Sequence, residues 1–319
     1  MKLGVVTSGG DAPGMNAAIR SVVRFAIPRG AKVIGIKRGY AGLLANDTVP
    51  LTLRSVGQIL QYGGTMLRTS RSPEFQTREG LEKGAEVLKN QGIDGLVVIG
   101  GDGSARGALS LSELSGVPCM CIPATIDNDV YGTDETIGFD TAVNTAVEAI
   151  DKIRDTAVSL ERIFVVEVMG RNRGFLALHV GLAVGASLIL VPEIQCPLQT
   201  VVNVLEKNAE RGKTISIIVA AEGIENTDAV VSYIEKSTEY EVRLSKLGYI
   251  QRGGSPTARS RILADLFGAK AVELLLGGEK NKMVGLDGKS IVATDLREIA
   301  SKTKPLDTIL YKLAEDLSV

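Results

Sequence analysis

A chain of 319 residues that is 45% hydrophobic and 23% charged is globular, with material for two domains, and is neither a fibrous nor a disordered protein. Its 36 Lys and Arg balance 37 Asp and Glu, and a net charge of -1 excludes long-range attraction to nucleic acid or to an anionic membrane, so any anion is bound locally. Three cysteines and one histidine are too few for a zinc centre or a histidine-dependent triad; Cys119, Cys121 and Cys196 read as core thiols and His179 as a packed imidazole.

The chain begins at Met1-Lys2 and enters an apolar run at once, without a basic n-region, extended h-region or cleavage site, which predicts a cytoplasmic protein. Apolar runs near 3–7, 32–37, 94–99, 117–122, 162–168, 187–191, 215–220 and 242–247 are predicted strands with helices between most of them, an α/β chain with mainly parallel sheets. The first strand runs into SGGDAPGMNAAIR, residues 8–20, where backbone N–H groups and a helix N-terminus suit phosphate, although a plain strand-to-helix turn fits as well. Neither GxxxxGK[ST] nor GxGxxG spacing is present, so the P-loop and dinucleotide fingerprints do not apply.

The next signal is GLVVIGGDGS, residues 95–104: Gly101 and Gly103 clear the backbone for a triphosphate, and Asp102 offers a hard oxygen to Mg²⁺. A tight turn with a capping aspartate fits the same residues. In VPCMCIPATIDND, residues 117–129, Asp127 and Asp129 lie two apart in a segment read as extended, on one side of a loop, with Asn128 pointing away. One carboxylate can accept a hydroxyl proton and the other hold metal-bound water, as phosphoryl transfer requires; an Asx-rich turn is the alternative. Beyond the carboxyl ends of parallel strands the two acidic turns are expected to meet.

A helix over 138–158 has no break and no linker divides the chain, so any domain exchange takes place by chain crossing. The apolar stretch 175–191 is broken by His179 and small residues and reads as helix, turn and strand rather than a membrane span. Arg71, Arg162, Arg171 and Arg252 lie at strand ends or in glycine-flanked loops where guanidinium groups suit phosphate, or are solvated surface charges.

Eight ordered motifs, SGGDAPGMNAAIR, GGTMLRTSR, VVIGGDGS, PATIDND, GTDETIGFDTA, EVMGRNRG, AEG and QRGGSPTA, resemble those of bacterial ATP-dependent 6-phosphofructokinases from one end of the chain to the other. The resemblance implies a homotetramer whose subunits have two α/β domains with largely parallel sheets and flanking helices, and an active site in the cleft between them. Residues 1–138 plus 251–301 would form a larger ATP-binding domain, and 139–250 plus 302–319 a smaller fructose-6-phosphate-binding domain. The implied reaction moves the γ-phosphoryl of Mg-ATP to the 1-hydroxyl of fructose 6-phosphate, the committed step of glycolysis.

By the same resemblance, Asp127 is the base, Arg171 and Thr125 orient and stabilise the moving group, and Asp102 with Asp129 holds Mg²⁺ or its water. Gly10, Arg71, Ser72, Gly101, Asp102, Gly103 and Ser104 bind ATP. Thr125, Asp127, Met169, Gly170, Arg171, Glu222, Tyr249 and Arg252 bind the sugar phosphate, and Arg162 and Arg243 reach its 6-phosphate from a neighbouring subunit. Gly103 and Ala124 stand where pyrophosphate-using relatives resemble Asp and Lys, and an aspartate in place of Gly103 would repel and crowd the ATP α-phosphate, so ATP is the expected donor. Tyr249 stands where a histidine is usual; it still donates a hydrogen bond but cannot become a cation.

The implied effector site for ADP or GDP and for phosphoenolpyruvate comprises Arg20, Arg24, Arg154, Gly185, Ser187, Arg211 and Lys213. Arg20 and Arg24, four apart on one helix, repel by roughly 0.2–0.5 kcal/mol, a strain that a bound phosphate would relieve. Ser187, Thr214 and Gln58 replace a usual glutamate, lysine and aspartate, which predicts a weakened allosteric response. A pyrophosphate-dependent enzyme and a non-catalytic nucleotide or sugar-phosphate sensor are the competing expectations. Neither nucleic acid nor membrane is an expected partner.

Overall fold

The computed structural model describes residues 1–213, 215–224 and 226–318; Thr214 lies outside them. The chain forms two compact units, Met1–Thr141 with Arg252–Lys304, and Ala142–Gln251 with Pro305–Val319. It passes from one to the other at Thr141, Gln251 and Lys304, so each unit is built from separate stretches of sequence.

In the first unit the strands are β1 (Lys2–Ser8), β2 (Lys32–Ile36), β3 (Thr48–Leu51), β4 (Gly95–Gly100), β5 (Cys119–Thr125) and β6 (Ile137–Gly138). In the second they are β7 (Ile163–Val168), β8 (Leu188–Leu190), β9 (Ser216–Ala221) and β10 (Val242–Lys246); β11 (Lys282–Asp287) and β12 (Ser290–Asp295) return to the first. Among the described residues the first unit's sheet has the order β12-β11-β5-β4-β1-β2-β3, with β6 paired to β5. β3 and β12 run antiparallel at its edges, and the interior pairings are parallel. Every residue of β4 is buried, as expected for a parallel strand covered on both faces. On one face Val6, Leu96 and Val98 pack with Leu43, Phe75, Leu88 and Leu111. The helices Met15–Ala26 and Ala258–Leu276 pack together, tied by Ser21 Oγ donating to Asp265 O at 2.7 Å.

The second unit has a fully parallel sheet, β10-β7-β9-β8. Ile163, Val165, Ile218 and Ala220 meet Val201, Leu205 and Ile234 from the helices Leu198–Glu210 and Thr227–Ser237. Helix Phe139–Leu160 is unbroken, and the stretch 175–191 resolves into helix Phe175–Ala183, a turn and β8. No described helix is long and apolar enough to cross a membrane.

The eight expected strands are present, their ends shifted by up to three residues, and β3, β6, β11 and β12 join them. β3 carries Pro50, which an edge strand tolerates because its outward N–H is not needed. β11 and β12 form a hairpin across Gly288, where φ is +57°. Asp287 pairs with Ser290, so the two-residue loop is Gly288-Lys289, and a glycine at the first loop position between two apolar runs is the signal that marks it in the sequence.

Candidate functional site

Three turns leave the carboxyl ends of three neighbouring parallel strands. Ser8 of β1 pairs with Gly100 of β4, and Gly100 with Pro123 of β5, which places residues 9–14, 101–104 and 126–129 side by side. The order also reverses here: the chain runs from β1 to β2 on one side and returns with β4 on the other, a switch point of the kind that holds ligands in open α/β sheets. A β-carbon added at Gly101 would come within 3.7 Å of Thr125 Cβ, so the second and third turns adjoin.

At the first turn, Gly10 brings the backbone so close to Arg252 that an added β-carbon would collide with its Nη1. Arg252 Nη1 lies 3.8 Å from Asp11 Oδ1, the side chain is 16% exposed, and its buried Nε meets no acceptor among the described residues. A buried guanidinium donor left open by the protein is suited to an anion. Thr69 Oγ1 donates to Gly9 O at 2.8 Å and Thr7 Oγ1 to Arg68 O at 2.9 Å, fixing the segment that continues into exposed Arg71 and half-buried Ser72.

The second turn opens helix Asp102–Ser115, whose N-cap, Gly101, gives no side-chain cap to the first N–H groups. A β-carbon at Gly103 meets nothing within 4 Å, whereas Ser104 is buried and its carbonyl accepts from Tyr40 Oη at 2.7 Å. Burial pushes the Asp102 carboxyl above the usual range; Arg106, with Nη2 2.6 Å from Oδ2, opposes this, and Asp129 adds to it. A carboxyl whose proton affinity is raised by burial and by a neighbouring carboxylate fits a hard cation. Among the described residues no group of three or more His, Cys, Asp or Glu could hold a metal, and any cation here would draw most of its ligands from water and phosphate.

The third turn differs from the extended segment expected of it. β5 ends at Thr125, the chain bends, and Asn128 takes φ +52°, so the positions of Asp127 and Asp129 follow from a turn and not from strand alternation. Asn128 does not simply point away. It is buried, its Nδ2 donates to Asp134 O at 3.1 Å, and its Oδ1 accepts from Thr136 N at 3.0 Å and Thr136 Oγ1 at 3.3 Å. Thr136 Oγ1 donates to Thr125 O at 2.7 Å, and Lys304 Nζ donates to Asp134 O at 2.9 Å. Burial brings the Lys304 ammonium down to about 8 despite Asp134, Asp129 and Glu135 around it. Inside this brace Asp127 is 1% exposed and its N–H donates to Thr125 Oγ1 at 3.2 Å.

Asn128→Ala removes the acceptor of a buried N–H and leaves a β-carbon at positive φ. It is expected to cost about 2–4 kcal/mol, read as a lowered urea midpoint at unchanged m-value.

In the second unit, Met169 and Gly170 follow β7, and Arg171 takes φ +53° with its N–H donating to Glu222 Oε1 at 2.7 Å. The carboxylate after β9 thus fixes the loop after β7. Fully buried Gln251 accepts from Met169 N at 3.3 Å and donates from Nε2 to Gly248 O at 3.0 Å, joining that loop to the turn that carries Tyr249, 80% exposed. Arg162 and Arg243 lie at the opposite, amino-terminal ends of β7 and β10.

Of the expected effector residues, Arg20 and Arg24 belong to the first unit, and Arg154, Gly185, Ser187, Arg211 and Lys213 to the second. Asp265 Oδ1, 3.7 Å from Arg20 Nη1, offsets part of the Arg20–Arg24 repulsion. Arg154 donates to Val184 O, and Lys213 Nζ to Ser318 O at 2.9 Å. Gly185 has φ +59°, Ser187 is buried, and Arg24, Arg211 and Gln58 are exposed.

The family model described as Phosphofructokinase matches residues 2–275. The chain belongs to the phosphofructokinase family. ATP-dependent 6-phosphofructokinase 1 of Thermus thermophilus is 54% identical over 320 residues, covering 100% of this chain and 99% of that protein. The ATP-dependent 6-phosphofructokinase of Bacillus thuringiensis is 51% identical over 318 residues, covering 100% and 99%. Among solved structures, phosphofructokinase from Saccharomyces cerevisiae superimposes with a TM-score of 0.88 at 34% identity over 99% of this chain and 46% of the yeast chain.

In this member of the phosphofructokinase family the residues unforeseen from the sequence are those that hold others in place: Asn128, Thr136, Lys304 and Gln251. Asn128 had a local signal, since asparagine is among the few residues other than glycine that readily take positive φ. Gln251 and Lys304 act on residues about 80 and 170 positions away, and no local pattern encodes such distances.

Proposed function

We infer that the protein is an ATP-dependent 6-phosphofructokinase, transferring the γ-phosphoryl of Mg-ATP to the 1-hydroxyl of fructose 6-phosphate to give fructose 1,6-bisphosphate and ADP. The observation that carries the reading is a buried Asp127 beside an open glycine turn, in a chain 54% identical to an enzyme of that name.

Asp127 accepts the proton of the 1-hydroxyl as its oxygen attacks, and Thr125 and Arg171 orient the acceptor and the moving group. Arg171 adds a permanent charge where the phosphoryl oxygens become more negative. Gly10, Arg71, Ser72 and the Gly101–Ser104 turn bind ATP through backbone N–H groups and guanidinium. Asp102 and Asp129 would hold Mg²⁺, which when bound supplies positive charge beside the phosphates. Met169, Gly170, Glu222, Tyr249 and Arg252 bind the sugar phosphate, and Arg162 and Arg243 serve it from a neighbouring subunit of a homotetramer. The protein acts in the cytoplasm.

Gly103 has open space where a carboxylate would meet ATP, and Ala124 is fully buried, where a lysine would have to enter the core. Both favour ATP over pyrophosphate. Ser187 and Gln58 leave the effector residues short of carboxylates, and the proposed allosteric response is correspondingly weak.

The test is Mg²⁺-dependent turnover of fructose 6-phosphate with ATP and with pyrophosphate, and phosphoenolpyruvate in a parallel series. The expected result is ADP release with ATP, no turnover with pyrophosphate, and shallow inhibition. Pyrophosphate turnover would overturn the donor, no turnover with either would revive a non-catalytic sensor, and steep sigmoidal inhibition would overturn the weak regulation.

A further inference from the structure

Two arginines of the second unit share one carboxylate. Arg162 donates from Nε to Glu241 Oε2 at 2.6 Å, and Arg243 Nη2 donates to Glu241 Oε1. The sheet register produces this arrangement. Ile163 pairs with Val242 and Phe164 with Arg243, so Arg162 and Glu241 each stand one residue before their strands, side by side. Ile163 N donating to Glu241 O at 3.1 Å fixes that pairing. Arg243 is two residues beyond Glu241 and therefore projects from the same face of β10.

Charges on an edge strand also keep other strands from pairing with it, and β10 is an edge. That role does not require a single carboxylate shared by two guanidinium groups. Nor is stability a sufficient reason, because the side chains of Arg162, Glu241 and Arg243 are 27%, 43% and 50% exposed, where ion pairs contribute little. The Arg162 bond uses Nε and leaves its two terminal nitrogens, the fork that matches phosphate oxygens, outside the ion pair.

We propose that Glu241 is a positioning residue: its carboxylate holds Arg162 and Arg243 converged, so that both serve one phosphate monoester dianion, the 6-phosphate of the sugar substrate. This rests on the phosphofructokinase reading above. Without the carboxylate the two cations repel and each long side chain must be ordered when substrate binds, which weakens affinity.

In the full-length protein, Glu241→Gln is expected to raise KM for fructose 6-phosphate about tenfold, with kcat and KM for ATP unchanged. Glu241→Asp is expected to recover part of the loss. Added to an Arg162→Ala, Arg243→Ala background, Glu241→Gln is expected to change KM no further, because nothing remains to position. An unchanged or lowered KM in Glu241→Gln, or an equal rise in the double-arginine background, would overturn the inference while wild-type turnover of fructose 6-phosphate upheld the parent reading. Absence of that wild-type turnover would overturn both.

Discussion

Asp127→Asn is expected to lower kcat for fructose 6-phosphate phosphorylation by roughly 10²–10⁴-fold while leaving the thermal midpoint within a few degrees. The substitution keeps the size and planarity of a side chain that is 1% exposed at the end of β5, so the packing around it survives. What it removes is general-base capacity: the carboxamide oxygen can still accept a hydrogen bond from the substrate hydroxyl, but it is too weak a base to take the proton. KM for ATP is expected to stay near its wild-type value, because the role proposed for Asp127 is toward the acceptor and not the donor. Initial rates with saturating Mg-ATP, beside a melting curve, decide the matter. A variant within tenfold of wild-type kcat at an unchanged midpoint would show that another group takes the proton.

Gly103→Asp is expected to cut kcat/KM for ATP by roughly 10²-fold without destabilising the fold. An added β-carbon at Gly103 meets nothing within 4 Å, so the protein itself does not require glycine there. The cost falls on the ligand: a carboxylate about 4 Å from a phosphate oxygen is opposed by up to ~4 kcal/mol at an effective dielectric near 20, less where solvent screens it. The introduced carboxylate would also stand next to Asp102, already raised by burial and by Asp129, and crowd negative charge into one turn. Loss of ATP turnover together with a lowered melting midpoint would instead assign Gly103 a structural role. Unchanged kcat/KM would remove this turn from the nucleotide site.

The acidic and glycine residues at the carboxyl ends of β4 and β5 were legible because strand, turn and helix start are local signals carried by adjacent residues. The side-by-side placement of those turns was legible in outline, because ligands in parallel sheets gather at one end. The geometry within the third turn was not legible. Alternation along an extended strand put Asp127 and Asp129 on one side, but Asn128 at φ +52° ends the extended course, and the bonds to Asp134 and Thr136 hold the turn in that shape.

The sequence by itself determined the parallel α/β class and the eight principal strands, because each is written in local periodicity and in residues close together along the chain, and its eight ordered motifs carried the resemblance to the family. Tertiary structure alone decided that Gly10 presses against Arg252, that Gln251 fixes Met169 and that Glu241 lies between Arg162 and Arg243. These depend on sheet order and register between segments tens to hundreds of residues apart. Such pairings follow from the packing of the whole core, which sets which side chains become neighbours and which does not appear in any short stretch of sequence.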